Sequence, residues 1–253
     1  MARIDYRNTC LRFASVAIVL AGWEWAGRAP VSIAFPSLTE TIAAAIAMVR
    51  DGSLIRALGT TIVPMIIGVT ISGATGVLLG LATGLSRRIE WVGIPLFLVL
   101  QAAPLAALIP ILVLAYGVGL ATKVAVVWIM AVPVIVLNSY KAVRQTPASL
   151  LEMAQSFLAS RPQVILKVIL PAASPVIFAG LRLGTAAGFV GAILAELLIS
   201  PTGIGDLITY HQSIGEYPQM YAAIASVIIL SALFLEAIDR LEVILFRPER
   251  RAA

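Results

Sequence analysis

TPASLLEMAQSFLASRPQVILKVILP, Thr146 to Pro171, is the one long amphipathic stretch in a chain that otherwise alternates apolar runs with short loops. Thr146 suits a helix N-cap, and Pro147 the first helical position, where a missing N–H costs nothing. Leu150, Ala154, Phe157 and Leu158 then follow at helical spacing and form an apolar stripe. Glu152, Gln155, Ser156 and Ser160 take much of the remaining surface. Pro162 is expected to stop this helix, a second short one to run to Ile169, and Pro171 to break the chain again. The stretch therefore reads as a helix–turn–helix lying across a membrane surface with one face on offer to something else.

The rest of the chain supplies the membrane. Apolar residues make up 60% of the 253 positions and charged residues 12%, about half the share in a soluble globule. Mean hydropathy is +0.99. Five or six apolar runs reach the roughly 20 residues that cross a bilayer as helix. The fold class expected is all-α: a polytopic membrane protein of six transmembrane helices, forming one transmembrane domain over residues 1–253. The single cysteine, Cys10, excludes an intramolecular disulfide and a cysteine-rich metal site. The net charge of +5 is spread between the spans, which argues against nucleic acid as a partner.

The first apolar run, about 13–26, has the basic start of a signal peptide, but Glu24 within it and the membrane helices that follow favour a first span. FPS at residues 35–37 precedes a surface helix capped near Ser37 or Thr39, and Arg50, Asp51 and Gly52 turn the chain. The second span, about 59–85, carries Gly68, Ser72, Gly76, Gly80 and Gly84 at four-residue spacing, a groove for close backbone approach. The third, about 91–116, holds Pro95, Pro104 and Pro110 and is expected to be kinked or interrupted. It is then either a packing helix or one lining a solute pathway. The fourth covers about 121–140. The fifth, about 173–199, carries a second stripe of Gly180, Gly184 and Gly188. The two stripes suggest that spans two and five pack on each other or across a dimer. A polar loop, 200–218, leads to the sixth span, about 219–235, and an amphipathic end.

With both termini inside, 13 of the 18 Lys and Arg fall inside, 4 outside (Arg28, Arg50, Arg56, Lys123), and Arg182 falls within a span. This positive-inside bias places Thr146–Pro171 in the cytoplasm, between spans four and five. There a peripheral protein could push on it. A lipid-resting helix would be richer in Lys and Arg than residues 146–160, which have none.

Glu152-Met153-Ala154, Ala159-Ser160-Arg161 and Leu170-Pro171 resemble the EAA loop of the membrane subunits of ABC importers. Residues 104–119, Gly180-Leu181-Arg182, Ala195-Glu196, residues 202–205 and the FPS triplet are similar to the nitrate/sulfonate/taurine branch of that family. The resemblance implies a type I importer permease in the bacterial cytoplasmic membrane. It implies a homodimer with a second copy, an ATPase dimer that holds ATP and Mg, and an extracytoplasmic substrate-binding protein. It implies ATPase coupling through Glu152, Met153, Ala154, Gln155, Ser156, Phe157, Leu158, Ala159, Ser160, Arg161, Leu170 and Pro171. Met153 and Leu158 depart from the pattern. Leu158 stands where the family's turn glycine usually is, so the turn falls to Pro162 or the first helix runs about a turn longer.

The chain carries no G-x-x-x-x-G-K-[ST] loop, so an ATP-driven reading needs ATP hydrolysis on another chain and no cofactor in this one. Candidate pathway residues are Gln101, Pro104, Asn138, Arg182 and Glu196. Glu196, about one turn from the outer end of span five, either holds a structural gate or meets substrate or a proton. Arg182 either snorkels, pairs with a carboxylate, or contacts an anion. His211 has no second histidine for a metal site. The solute expected is a small oxyanion or sulfonate-like compound, alternatively a vitamin precursor. A stand-alone ion-coupled transporter would need a mid-span carboxylate that the chain lacks, and an intramembrane enzyme a nucleophile–base pair or metal cluster within the spans.

Overall fold

The computed structural model describes residues 6–29, 32–199 and 202–246. Arg3, Arg247, Arg250 and Arg251, counted above toward the inner side, lie outside them, as do Ser200 and Pro201 of the expected outer loop. All regular elements among the described residues are helical. The described residues divide into two compact units, one of residues up to 60 with 202–230, the other of residues 61–199 with 231–246.

The first unit contains α1 (Tyr6–Arg28), α2 (Leu38–Arg50) and the start of α3 (Ser53–Leu85). FPS ties α2 to α1. The Phe35 ring packs 6.5 Å from Trp23 and 5.7 Å from Tyr221. The Pro36 carbonyl accepts from Trp23 Nε1 at 3.1 Å. Ser37 caps α2 in a reciprocal box with Glu40: Glu40 N–H donates to Ser37 Oγ at 3.3 Å, and Ser37 N–H to Glu40 Oε2 at 2.9 Å. Glu24 accepts from Thr39 N–H at 3.0 Å and from Arg28 Nε at 2.6 Å, so its charge sits at the first turn of α2, where it meets the positive end of the helix dipole. Gly27 lets these segments meet, since a Cβ there would lie 2.4 Å from Ser37 Cα.

The second unit is built around one central helix. After α3 come α4 (Arg87–Ala102), a 3₁₀ turn (Leu105–Leu108), α5 (Ile109–Tyr116) and α6 (Leu120–Arg144). The Thr146–Pro171 segment supplies α7 (Ala148–Ser156), α8 (Arg161–Val164) and a π turn (Ile165–Ile169), which runs into α9 (Leu170–Ile199). The third expected span is interrupted: Pro104 drives Ala103 into extended backbone, and α4 and α5 meet at 90°.

Both glycine stripes face α6, which corrects the expectation that spans two and five pack through them on each other or across a dimer. On α3, a Cβ at Gly68 would meet Val127, at Gly76 Ile135, at Gly80 Ser139, and at Gly84 Val143, all within 2.8 Å. The numbers rise together, so α3 and α6 run parallel. Ser72 is fully buried in the same row. On α9, Gly180 meets Asn138, Gly184 meets Ile135, and Gly188 meets Val127, with the numbers running in opposite directions. A stripe of small residues tells which face will be approached and leaves open by which helix. Accordingly α6 is the most buried of the long apolar helices among the described residues.

The polar stretch read as a loop after span five contains α10 (Ile204–Ser213), which belongs to the first unit with the start of α11 (Tyr217–Phe246). Ile204 of α10 is fully buried beside Ala57 and Ala223. Gly203 and Thr202 masked the helix because they read as turn residues, yet Gly203 serves as its N-cap.

Among the described residues, four helices are long and apolar enough to cross a membrane: α3, α6, the 39-residue run Arg161–Ile199, and α11. The bent pair α4 and α5 makes up to five. The first expected span, about 13–26, falls on α1, which does not meet that criterion.

Candidate functional site: the Thr146–Pro171 turn and the buried polar groups

The segment does not begin as its sequence suggests. Pro147 is the N-cap of α7, which starts at Ala148, and Thr146 Oγ1 is buried without a hydrogen bond. The helix ends at Ser156, not at Pro162. Leu158 N–H bonds to the Gln155 carbonyl at 2.8 Å and Ala159 N–H to the Ala154 carbonyl at 3.0 Å. These are the two bonds of a Schellman motif, whose C′ residue lies in the left-handed region. Leu158 occupies that position with φ of +52° and is the sole non-glycine residue with positive φ among the described residues. The helix therefore runs no longer than in a glycine turn, and Leu158 itself makes the turn.

Pro162 lies in the first turn of α8, and the Gln163 side chain accepts from Ser160 N–H at 2.8 Å. Pro171 does not break the chain. The preceding π turn lets Leu170 N–H reach back to Ile165 O, and this wider turn accommodates the proline's missing donor and bulky ring. The apolar stripe also divides. Ala154 is buried at 3% exposure, whereas Phe157 and Leu158 stand out at 79% and 91%. Glu152, Met153, Gln155, Ser156, Ser160, Arg161 and Pro171 are exposed, and Ala159 and Leu170 are half-buried.

Glu196 lies in the last turns of α9 and is 3% exposed. It accepts from Thr61 Oγ1 at 2.9 Å and from Lys123 Nζ at 2.8 Å, with Lys123 5% exposed. A buried ion pair thus joins α6 to α9, and the Thr61 hydroxyl ties α3 to it by a hydrogen bond. The sequence reading had placed Lys123 in an outer turn and missed it. The available signal was a lysine opening a strongly apolar helix, where an unpaired ammonium is costly.

Arg182 pairs with Asp239, and its Nη2 lies 3.9 Å from Glu242 Oε2. Asn138 donates to the Val134 carbonyl of its own helix at 2.8 Å. Gln101 lines a cavity of about 190 Å³ at the α4–α5 break, with Ala103, Leu105, Met130, Pro133 and Ala187. Pro104 is exposed beside it. Tyr140 Oη donates to Glu90 Oε1 at 2.5 Å, joining α6 to α4 one turn before Arg144. His211 Nδ1 lies 2.9 Å from Glu216 Oε2.

Residues 72–248 match the family model described as binding-protein-dependent transport system inner membrane component. A probable ABC transporter permease of Haemophilus influenzae is 30% identical over 71% of this chain and 73% of its own length. A riboflavin transport system permease of Chloroflexus aurantiacus is 32% identical over 64% of the chain and 61% of its own. A putative aliphatic sulfonates transport permease of Bacillus subtilis is 27% identical over 82% and 76%. Among solved structures, an inward-facing form of the MetNI methionine ABC transporter shares the fold, with a TM-score of 0.64 at 19% identity over 75% of this chain and 94% of the other. The match over most of the chain, on helices long enough to span and with the EAA-like turn between α6 and α9, makes this protein a member of the binding-protein-dependent transport system inner membrane components, the permease subunits of ABC importers.

Proposed function

We propose that this permease works as a homodimer with two ATPase chains and an extracytoplasmic binding protein, and moves a small oxyanion or sulfonate-like solute into the cytoplasm by alternating access. Both termini and the Thr146–Pro171 turn face the cytoplasm in this reading. ATP-driven closure of the ATPases draws the two turns together and tilts the spans outward-open; hydrolysis resets them. The observation that carries it is the exposed turn itself. A short helix is held to the body through Ala154, and its outer residues are presented to a partner. The cavity at the α4–α5 break, with Gln101 as its polar side chain, is assigned to the solute route. Glu196 is assigned a structural role, because Lys123 neutralises it in place. That pairing also speaks against Glu196 as the coupling carboxylate of a stand-alone transporter.

The sulfonate assignment leans on the Bacillus relative, and the riboflavin relative supports a vitamin-like solute as the second reading. Reconstitution with the cognate ATPase and binding protein tests both. ATP-dependent uptake of a sulfonate is expected, and uptake of riboflavin alone selects the second reading. Solute uptake by this chain without ATPase or ATP would overturn the mechanism.

A further inference from the structure

We propose that Phe157 and Leu158 form an apolar anchor that fills a recess on the cognate ATPase, and that Leu158 thereby selects which ATPase this permease accepts. The proposal rests on the docking reading above and deepens it. Leu158 is not explained from within the chain. The two bonds of the turn are main-chain bonds that glycine would make as well, and without the steric cost of a Cβ at φ of +52°. Packing does not call for leucine either, since its side chain is 91% exposed. A strained residue whose side chain does nothing for its own fold points to a role outside it.

The surroundings indicate the kind of partner. Phe157 and Leu158 are adjacent and exposed, with Met153 one turn back at 47% exposure. Glu152, Gln155, Ser156 and Ser160 are exposed around them. An apolar centre within a polar rim is the anatomy of a protein–protein hot spot. A lipid surface would favour Lys and Arg, and residues 146–160 have none. A glycine at the turn would offer a partner no side chain here, so the ATPase that fits this permease carries an apolar recess opposite Leu158.

The test uses the full chain co-expressed with its ATPase. Leu158→Gly and Leu158→Asn both adopt the left-handed turn more readily than leucine, so neither is expected to unfold the segment. Each is expected to weaken ATPase association by about tenfold, and Phe157→Ala with Leu158→Gly by about a hundredfold. Association at the wild-type level in both single variants overturns the anchor. A Gln155→Cys cross-link to the ATPase is scored in parallel. If it forms while the Leu158 variants bind normally, the anchor alone fails; if it never forms in an intact complex, the docking reading falls too. An environment-sensitive dye on Leu158→Cys in vesicles should report water without ATPase and an apolar site with it. A lipid-like signal that ATPase does not change also overturns the proposal.

Discussion

Replacing Gly80 by alanine tests the placement of α6 in the grooves of its neighbours. The new Cβ would lie 2.4 Å from Ser139 Cβ, 2.8 Å from the Val136 carbonyl oxygen and 3.2 Å from Tyr140 N. Two of these are main-chain atoms that no rotamer change can move, so α3 and α6 must part by about 1 Å, and such overpacking costs about 1–3 kcal/mol. Alanine also stabilises a helix over glycine by about 0.5–1 kcal/mol. Gly59 lies on the same helix with nothing within 4 Å of its would-be Cβ. The Gly59→Ala variant gains the propensity term alone, so the difference between the two variants isolates the packing term, about 1–3 kcal/mol. Denaturant unfolding of the purified chain in mixed micelles, followed by tryptophan fluorescence, measures it. Gly188→Ala, whose nearest neighbour is a side-chain atom at 3.1 Å, should fall between them. Equal stability of Gly80→Ala and Gly59→Ala would refute the packing described.

Removing one partner of the Lys123–Glu196 pair leaves a buried charge unmatched, so Lys123→Met alone should destabilise by about 3–5 kcal/mol. Adding Glu196→Leu should recover most of the loss in the same unfolding assay; a double variant no better than the single one would argue against the pair. Ser37→Ala removes the cap of α2 and should cost about 1 kcal/mol, seen as faster amide exchange at residues 39–41. Hydrogen bonds from Ser53 hold the Asp51 carboxyl below its ordinary value. That lowered value means the carboxylate favours the folded turn at neutral pH, and the contribution fades as pH falls through it. An NMR titration of Asp51 should give a midpoint below 3.8.

Much of this was legible in the sequence, and the misses have physical causes. Apolar runs located the spanning helices, and Ser37 with Glu40 marked the start of α2, because composition and capping are local. The three prolines forecast the interruption of the third span, since a proline acts on its own turn and the residue before it. The glycine spacing forecast close packing but assigned the wrong neighbour, as partner choice depends on the whole arrangement. Lys123 and Glu196 lie 73 residues apart, and nothing local links them. Pro171 was read as a break because a proline removes a bond from an ordinary helix; the π turn before it is set by tertiary packing. Leu158 was read through the residue usual at its place, and only the backbone angle shows that leucine takes the same conformation.

The ion pair also changes what the turn can transmit. The segment from Gln145 to Ser160 joins α6 to the rod Arg161–Ile199, which at 1.5 Å per residue is about 58 Å long. Lys123 and Glu196 fasten those two rods again at their far ends. The result is a loop closed at both ends, one closure covalent and the other electrostatic, with the Gly180–Gly188 seam along its length. Such a frame resists scissoring. Within it the places where a helix bends most readily are the π turn Ile165–Ile169 and the prolines Pro133 and Pro175.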